Sequence, residues 1–334
     1  MKLLYLSCHE ILEYDEIKLF LELGIDVFSY GAYLNPDNPG SGKREPLPLK
    51  QDPQLVELAK YSTKERLLPD LVEPFDVVYI MHNPQWVANN WELIKDKVVI
   101  WRTIGQSTRQ VEEGLAPFRS AGLKVVRYSP REQTIPSFIG EDAMIRFYKD
   151  PDEFKGWNGN IGQVVSLCQS MAKRDHFCNF EFYKHIMSGF PWRIFGPEND
   201  WAGLNNGGFV SYDKLKEVLR QSRCYFYTGT FPASYTLNFI EAWMTGIPVV
   251  AIGPKRGNAS FFEGQDTYEI PDLIENGVNG FVSDDEDDLT SYILSMLSVK
   301  DYAREIGEAG RRSAIEYFGK KKIKKQWKQF FRRL

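Results

Sequence analysis

The segment 225–253 joins a buried strand to a helix through a loop of small polar residues. The loop contains Gly229 and Thr230, the helix begins near Tyr235, and Gly246 followed by a proline ends it. A helix that starts after such a loop offers free backbone N–H groups and the positive end of its dipole. Such helix starts bind phosphate groups, and we therefore expect a phosphate site here.

Glu241 lies about one turn into this helix, beyond the residues expected to hold a phosphate, Thr236, Leu237 and Asn238. A carboxylate at this depth can accept two hydrogen bonds from a ribose diol, as acidic residues do in other nucleotide-binding folds. Thr236 is expected to cap the helix and to donate to a ligand oxygen. The pattern fits equally well a core helix in which Glu241 is solvated or acts as a cap.

Two series of alternating strands and helices must position this segment. The apolar runs that indicate buried strands are 3–7, 26–29, 76–81, 98–101 and 125–128, then 163–168, 192–196, 224–227 and 249–252. Strands that alternate with helices predict an α/β fold with parallel sheets, covered by helices on both faces. Between the two series, residues 149–160 have the composition of a linker. We predict two Rossmann-like, doubly wound domains, 1–155 and 156–314, and a basic final helix, 315–334, that closes onto the first.

His82 follows the third of these strands. It therefore faces the carboxyl edge of the first sheet, where open α/β sheets bind their ligands. We expect His82 to contact a sugar hydroxyl. The alternative is a loop histidine whose side chain bonds to backbone.

The composition excludes some classes of function. A net charge of −4 argues against nucleic-acid binding by the chain as a whole. The four cysteines have no zinc spacing, and the acidic run 284–288 indicates a solvated helix N-terminus, so we predict no metal site. No apolar run approaches the about 18 residues of a transmembrane helix, so the expected location is the cytoplasm, with peripheral membrane contact left open.

Three stretches of the second half resemble a known family. The stretch 241–251, EAWMTGIPVVA, is similar to the donor-site signature of family 4 glycosyltransferases, the group 1 enzymes with the GT-B fold. The stretch 272–282, DLIENGVNGFV, and the helix 309–318 also resemble this family. The resemblance covers 157–334 well and 1–150 in outline, and it implies two Rossmann-like domains facing across a cleft.

The resemblance implies roles for the two ends of the donor. The second glutamate of the signature binds the nucleotide ribose, and it corresponds to Glu241. The first, eight positions earlier, contacts the donor sugar, but Ala233 stands there in this chain. Thr230, Ser234 or Tyr235 would then replace it, or the sugar would lack the usual hydroxyl pattern.

Two more positions follow from the resemblance. The family carries a basic pair after the first strand of its second domain, and Lys173 with Arg174 corresponds to it. Two cations beside a departing diphosphate stabilise its charge without a metal; the alternative is a solvated helix start. Arg102 or Thr103 stands at a strand end where relatives often have a histidine in the cleft.

The implied reaction is transfer of a sugar, with retention, from a UDP- or GDP-sugar to an acceptor hydroxyl. No cofactor is expected besides this donor substrate. The Ala233 position leaves a non-catalytic protein that binds nucleotide sugars as an alternative. A nicotinamide oxidoreductase is a further alternative, although no GxGxxG follows any predicted strand.

The end of the chain combines aromatic residues at near-helical spacing with many lysines, and it has no acidic residue after Glu316. Its apolar face is predicted to dock in the fold. Its basic face is predicted to meet a polyanion, either an anionic membrane that carries a lipid-linked acceptor or DNA. Glycans, lipid-linked sugars, small molecules and modified DNA all stay open as acceptors.

Overall fold

A computed structural model describes residues 1–34, 44, 47–258 and 264–334 of the 334-residue chain. The chain forms two compact units, one of residues 1–147 and 323–334 and one of residues 148–322. The first unit's main segment therefore ends at 147, before the predicted boundary at 155. The second unit ends at 322, after the predicted boundary at 314. Aromatic packing accounts for the first difference, because Phe147 stacks on Tyr128 of the first unit whereas Phe154 packs edge-on against Tyr212 of the second.

The first unit contains a sheet of six parallel strands in the order β2-β1-β3-β4-β5-β6. Its strands are β1 Lys2–Leu6, β2 Asp26–Tyr30, β3 Val77–Met81, β4 Val98–Arg102, β5 Lys124–Arg127 and β6 Ala143–Met144. Its helices are α1 Glu10–Glu22, α2 Pro53–Lys60, α3 Pro69–Val72, α4 Pro84–Ile94 and α5 Arg109–Ser120. Every side chain of β3 is buried, on both faces of the sheet, as expected of a strand covered by helices.

The second unit also has six parallel strands, in the order β12-β11-β10-β7-β8-β9. They are β7 Ile161–Leu167, β8 Trp192–Phe195, β9 Asn206–Gly208, β10 Ser222–Tyr227, β11 Val249–Ile252 and β12 Phe281–Ser283. Its helices are α6 Asp175–Cys178, α7 Phe180–Met187, α8 Tyr212–Gln221, α9 Leu237–Thr245, α10 Pro254–Gly257, α11 Ile270–Leu273, α12 Glu286–Ser298 and α13 Lys300–Phe318. The predicted α/β class with two doubly wound sheets is confirmed.

Helix α9 ends at Gly246, which adopts a left-handed conformation with φ of 90°. Glycine adopts this conformation without the strain that a Cβ atom causes, and it commonly ends helices. The backbone here also packs closely against α13. A Cβ atom on Gly307 of α13 would lie 2.0 Å from the Gly246 carbonyl oxygen, so this crossing requires glycine in α13 as well.

The last helix, α14 Lys320–Phe331, packs its apolar face into the first unit. Trp327 is buried and meets Phe20 edge-on, with 5.0 Å between the ring centroids. The opposite side, continued one residue past the end of α14, carries four exposed cations spaced as on one side of a helix. We call them the basic stripe: Lys321, Lys325, Lys328 and Arg332.

Candidate functional site

The loop before α9 lies at the point where the strand order of the second sheet reverses. The first strand of this unit, β7, has β10 on one side and β8 on the other, and ligands of open α/β sheets bind outside such a point. The side chain of Asn238, near the start of α9, donates to the Leu167 carbonyl at the end of β7, at 2.6 Å. Asn238 therefore joins the helix start to the neighbouring strand end.

The helix N-terminus is open, as the sequence predicts. Throughout the described chain, no acceptor takes the backbone N–H groups of Leu237, Asn238 and Phe239. Thr236 is the N-cap residue, but its hydroxyl makes no capping hydrogen bond within the described residues, so the predicted capping by this side chain is wrong. The three N–H groups and the positive end of a nine-residue helix suit an anion.

The other residues predicted in this loop hold its shape. Tyr235 is buried, with its ring 5.0 Å from that of Phe318, and the Leu237 side chain is buried as well. Gly229 has a φ of 75°, and the Thr230 hydroxyl donates to the Gly229 carbonyl at 2.8 Å. These side chains fix the loop, and the backbone N–H groups of α9 are what it presents to a ligand.

Glu241 is neither solvated nor a cap. Its side chain is 5% exposed, and its Oε1 lies 2.6 Å from Nζ of Lys149, which is 1% exposed. The Tyr212 hydroxyl donates to the same Oε1 at 3.0 Å and accepts from Lys149 Nζ at 3.2 Å. Sequence reasoning missed both partners, because an isolated lysine in a linker and a tyrosine in another helix give no local signal.

The predicted basic pair lies at the same edge of the same sheet. Lys173 and Arg174 form a short 3-10 turn after β7. Lys173 is exposed and pairs with Glu198 at 3.1 Å, while Arg174 donates to the carbonyl of Gln169. An exposed pair with Glu198 is weak, so the Lys173 ammonium can move to an arriving anion at little cost.

Two thiols lie close together beside this turn, and the pKa of one of them is lowered. The sulfur atoms of Cys168 and Cys178 lie 3.7 Å apart. The pKa of the Cys178 thiol is lowered to about 7, mainly by the hydrogen bond from Cys168; burial opposes this shift, and the Arg174 cation adds to it. Both thiols are free, as are Cys8 and Cys224.

The first unit contains a cavity of about 350 Å³ at the carboxyl ends of β1, β3 and β4. This is again where the strand order reverses, because β1 lies between β2 and β3. Polar and apolar side chains line it together: Cys8, His9, His82, Asn83, Pro84, Ile104 and Gln106.

His82 lies in this cavity with a left-handed backbone, φ of 57°. Burial lowers the pKa of its imidazole to about 4, so the ring is neutral at pH 7. Its Nδ1 has no hydrogen-bond partner in the described structure, which contradicts the alternative of a histidine bonded to backbone through that atom. A buried polar atom without a partner indicates a place where a ligand can bond.

Arg102 and Thr103 serve the interior of the first unit instead of lining the cavity. Arg102 is fully buried, bonds Glu16 at 3.0 Å and donates to the Arg127 carbonyl at 3.0 Å. The Thr103 hydroxyl donates to Glu132 at 2.7 Å. Because β4 continues through Arg102, the residues after this strand that line the cavity are Ile104 and Gln106.

The acidic run 284–288 has the structure expected of a helix start. Asp285 caps α12 by accepting from the N–H groups of Asp287 and Asp288, and Asp284 accepts from the N–H groups of Lys255 and Arg256. Among the residues that the structure describes, no three His, Cys, Asp or Glu side chains group in a way that could hold a metal ion. In the same part of the chain, no helix has the length and hydrophobicity to span a bilayer.

One family model matches part of the chain. Residues 179–327 match the model of the glycosyl transferase-like family, and the resemblance to group 1 glycosyltransferases is thereby confirmed. No curated protein matches the chain at a significant level.

Solved structures share the fold at low sequence identity. HepE of Anabaena, solved with UDP-glucose, superposes with a TM-score of 0.70 at 14% identity, over 100% of both chains. A glycosyltransferase of Rickettsia africae gives 0.67 at 14% identity, over 99% of this chain and 98% of the other. Sucrose-phosphate synthase of Thermosynechococcus elongatus gives 0.70 at 12% identity, over 100% and 98%. The predicted GT-B fold is therefore confirmed.

Proposed function

We propose that this chain, whose residues 179–327 match the model of the glycosyl transferase-like family, transfers a sugar from a nucleotide-diphosphate sugar to an acceptor hydroxyl. The observation that carries the proposal is the open N-terminus of α9 with Glu241 one turn behind it. This arrangement places hydrogen-bond donors for a diphosphate and an acceptor for a ribose diol along one helix.

In the donor complex, the diphosphate accepts from the N–H groups of Leu237, Asn238 and Phe239. Lys173 and Arg174, at the same sheet edge, add two positive charges. Oε2 of Glu241, to which no described residue donates, accepts from the ribose hydroxyls. Hydrogen bonds to a charged group contribute about 1.5–3 kcal/mol each, so a diol on Glu241 accounts for a large share of donor affinity.

The reaction that fits these groups is attack on the donor face that the diphosphate leaves, with retention. The acceptor oxygen bonds to the anomeric carbon as the bond from that carbon to the diphosphate oxygen breaks. The acceptor proton passes to the departing diphosphate oxygen, which therefore acts as the base. Lys173 and Arg174 stabilise the charge that develops there, and we expect the reaction to need neither a metal nor a cofactor.

The base of the donor is proposed from similarity. HepE was solved with UDP-glucose, and UDP is therefore the first base to test, with GDP as the second. Hexose and pentose donors are both to be tested, because the residue at the position of the usual sugar-binding glutamate is Ala233. Of the three neighbours expected to replace that glutamate, Thr230 is partly exposed and is the one proposed to take over the sugar contact, whereas Ser234 and Tyr235 are buried.

For the acceptor, we propose the cavity of the first unit. Its neutral His82 can bond an acceptor hydroxyl through Nδ1, and Asn83 and Gln106 supply further polar groups. The four free thiols suit a reducing compartment such as the cytoplasm. The basic stripe of α14 is proposed to meet an anionic membrane surface, with DNA as the second polyanion to test.

The second candidate function is a protein that binds nucleotide sugars without turnover, and Ala233 is the observation that favours it. A panel of UDP- and GDP-sugars, assayed for nucleotide release with and without EDTA, separates the two. Release of UDP or GDP supports catalysis, and release that EDTA abolishes would overturn the metal-free mechanism. Tight binding without release supports the second candidate.

Calorimetry with Glu241→Ala tests the site itself. We expect donor affinity to fall by about tenfold or more, from the loss of hydrogen bonds to a charged group. Glu217→Ala is the matched control, because Glu217 is a glutamate on the surface of α8 that pairs with Lys214. An unchanged affinity in Glu241→Ala would refute the ribose assignment.

A further inference from the structure

The carboxylate of Glu241 is held on one side only. Its Oε1 receives both Lys149 Nζ, at 2.6 Å, and the Tyr212 hydroxyl, at 3.0 Å. A carboxylate has two oxygens and about four acceptor positions, so these two donors leave Oε2 with its full capacity. Within the described residues, nothing donates to Oε2.

Lys149 is itself fixed in place. Its backbone N–H donates to the Phe318 carbonyl at 3.1 Å, and its Nζ lies 5.7 Å from the centre of the Phe154 ring and 5.6 Å from that of Tyr212. The ammonium group therefore reaches Glu241 from a backbone that is bonded to the end of α13. A lysine so constrained cannot follow the carboxylate to other rotamers, and it selects one of them.

We propose that Lys149 and Tyr212 are positioning residues for nucleotide recognition. They hold Oε1 of Glu241 so that Oε2 is directed to the 2′ and 3′ hydroxyls of a nucleoside diphosphate. Lys149 also offsets the charge of Glu241, so the carboxylate stays buried without being an unpaired charge. This inference rests on the proposed function, because it assumes that Glu241 binds the ribose.

The test compares two ligands that differ only in the diol. Binding of UDP and of 2′,3′-dideoxy-UDP is measured by calorimetry, or of the GDP pair if the wild type binds GDP. The wild type should prefer the ribonucleotide by about tenfold or more, as expected for hydrogen bonds to a charged acceptor. In Lys149→Met the preference should fall to within about twofold, while the affinity for the dideoxy ligand is unchanged.

Three more variants make the result specific. Tyr212→Phe keeps the ring and removes one donor, so it should lower the preference by about threefold to tenfold. Lys149→Arg keeps the charge and should restore most of the preference. Lys155→Met removes a lysine of the same connecting segment that pairs with Asp152, and its preference should equal that of the wild type.

Each outcome bears on one assumption. Equal loss of affinity for both ligands in Lys149→Met would show a merely structural role and overturn the inference. Tighter UDP binding in Lys149→Met would overturn it too, because Lys149 would then compete with the ribose. A wild type that binds both ligands equally refutes the ribose assignment, which is a failure of the proposed function. Thermal melting checks folding, and Tyr212→Phe with Lys149→Arg decides the question if Lys149→Met does not fold.

Discussion

Glu132 should make the first unit less stable as the pH rises toward neutrality. Its carboxyl group is buried; Oε2 accepts from the Thr103 hydroxyl at 2.7 Å and from the Tyr128 N–H at 3.0 Å. Oε1 accepts no hydrogen bond in the described structure, and the nearest cation, Arg127, lies 4.0 Å away. Burial therefore raises the pKa of Glu132 to about 7, although Arg127 and the hydrogen bonds lower it in part.

The size of the effect follows from the two pKa values. The pKa of the carboxyl group rises from its ordinary value of 4.5 to about 7 in the folded protein. The folded state thus binds more protons between these values, so stability is fully present below about pH 4.5 and falls as the pH rises to 7. At about 1.4 kcal/mol per pKa unit, the total loss is about 3 kcal/mol, and it levels off above pH 7.

Glu132→Gln removes this titration and keeps an oxygen that can accept from Thr103 and Tyr128. Urea unfolding from pH 4 to 8, with hydrogen exchange of the β4 and β5 amides to report on the first unit, gives the stability of both proteins. The variant should gain about 3 kcal/mol relative to the wild type across this range. Glu113→Gln, at an exposed position on α5, should show no such gain. A difference between wild type and Glu132→Gln that is constant with pH would refute the reasoning.

Replacing Lys173 and Arg174 together by alanine should lower kcat by about a hundredfold or more with less effect on KM, since their charge acts on the departing diphosphate; steady-state kinetics check this. His82→Phe should weaken acceptor binding while leaving calorimetric UDP affinity unchanged. The wild-type acceptor KM should show no inflection between pH 5 and 8 from this residue, because the pKa of His82 is about 4. Changing the four residues of the basic stripe to glutamine should lower the affinity for anionic vesicles, measured by co-sedimentation, by up to about a thousandfold, because each cation contributes about 1 kcal/mol. Binding to neutral vesicles should not change.

The fold was predictable because burial leaves a direct mark on the sequence. Parallel strands covered on both faces are continuous apolar runs, and those at 76–81 and 249–252 correspond to β3 and β11. The ends of the two units were less predictable. They depend on where single aromatic side chains pack, such as Phe147 and Phe154, and neither has a local pattern that assigns it to one unit.

The candidate site was predictable where it depends on the backbone. The open start of α9 follows from a loop of small residues before a helix, and both are visible in the sequence. Side-chain partners were not predictable. Thr236 makes no capping bond, and Arg102 bonds Glu16, which is far away in the chain. Such pairs are created by the packing of distant elements, and local spacing does not encode them.

The pair of Lys149 and Glu241 bears on whether the second sheet binds a nucleotide or only completes a core. A buried ion pair is a poor device for stability alone, because well-packed apolar residues of similar volume are often as stabilising or more so. The free-energy cost of burying this ion pair is explained if a ligand needs the carboxylate, and Oε2 of Glu241 is available to bond one. The sugar side lacks this feature, since Ala233 has no polar side-chain atom. We therefore expect selectivity to be strong for the ribose and weaker for the sugar, which is the order that a panel of donors measures directly.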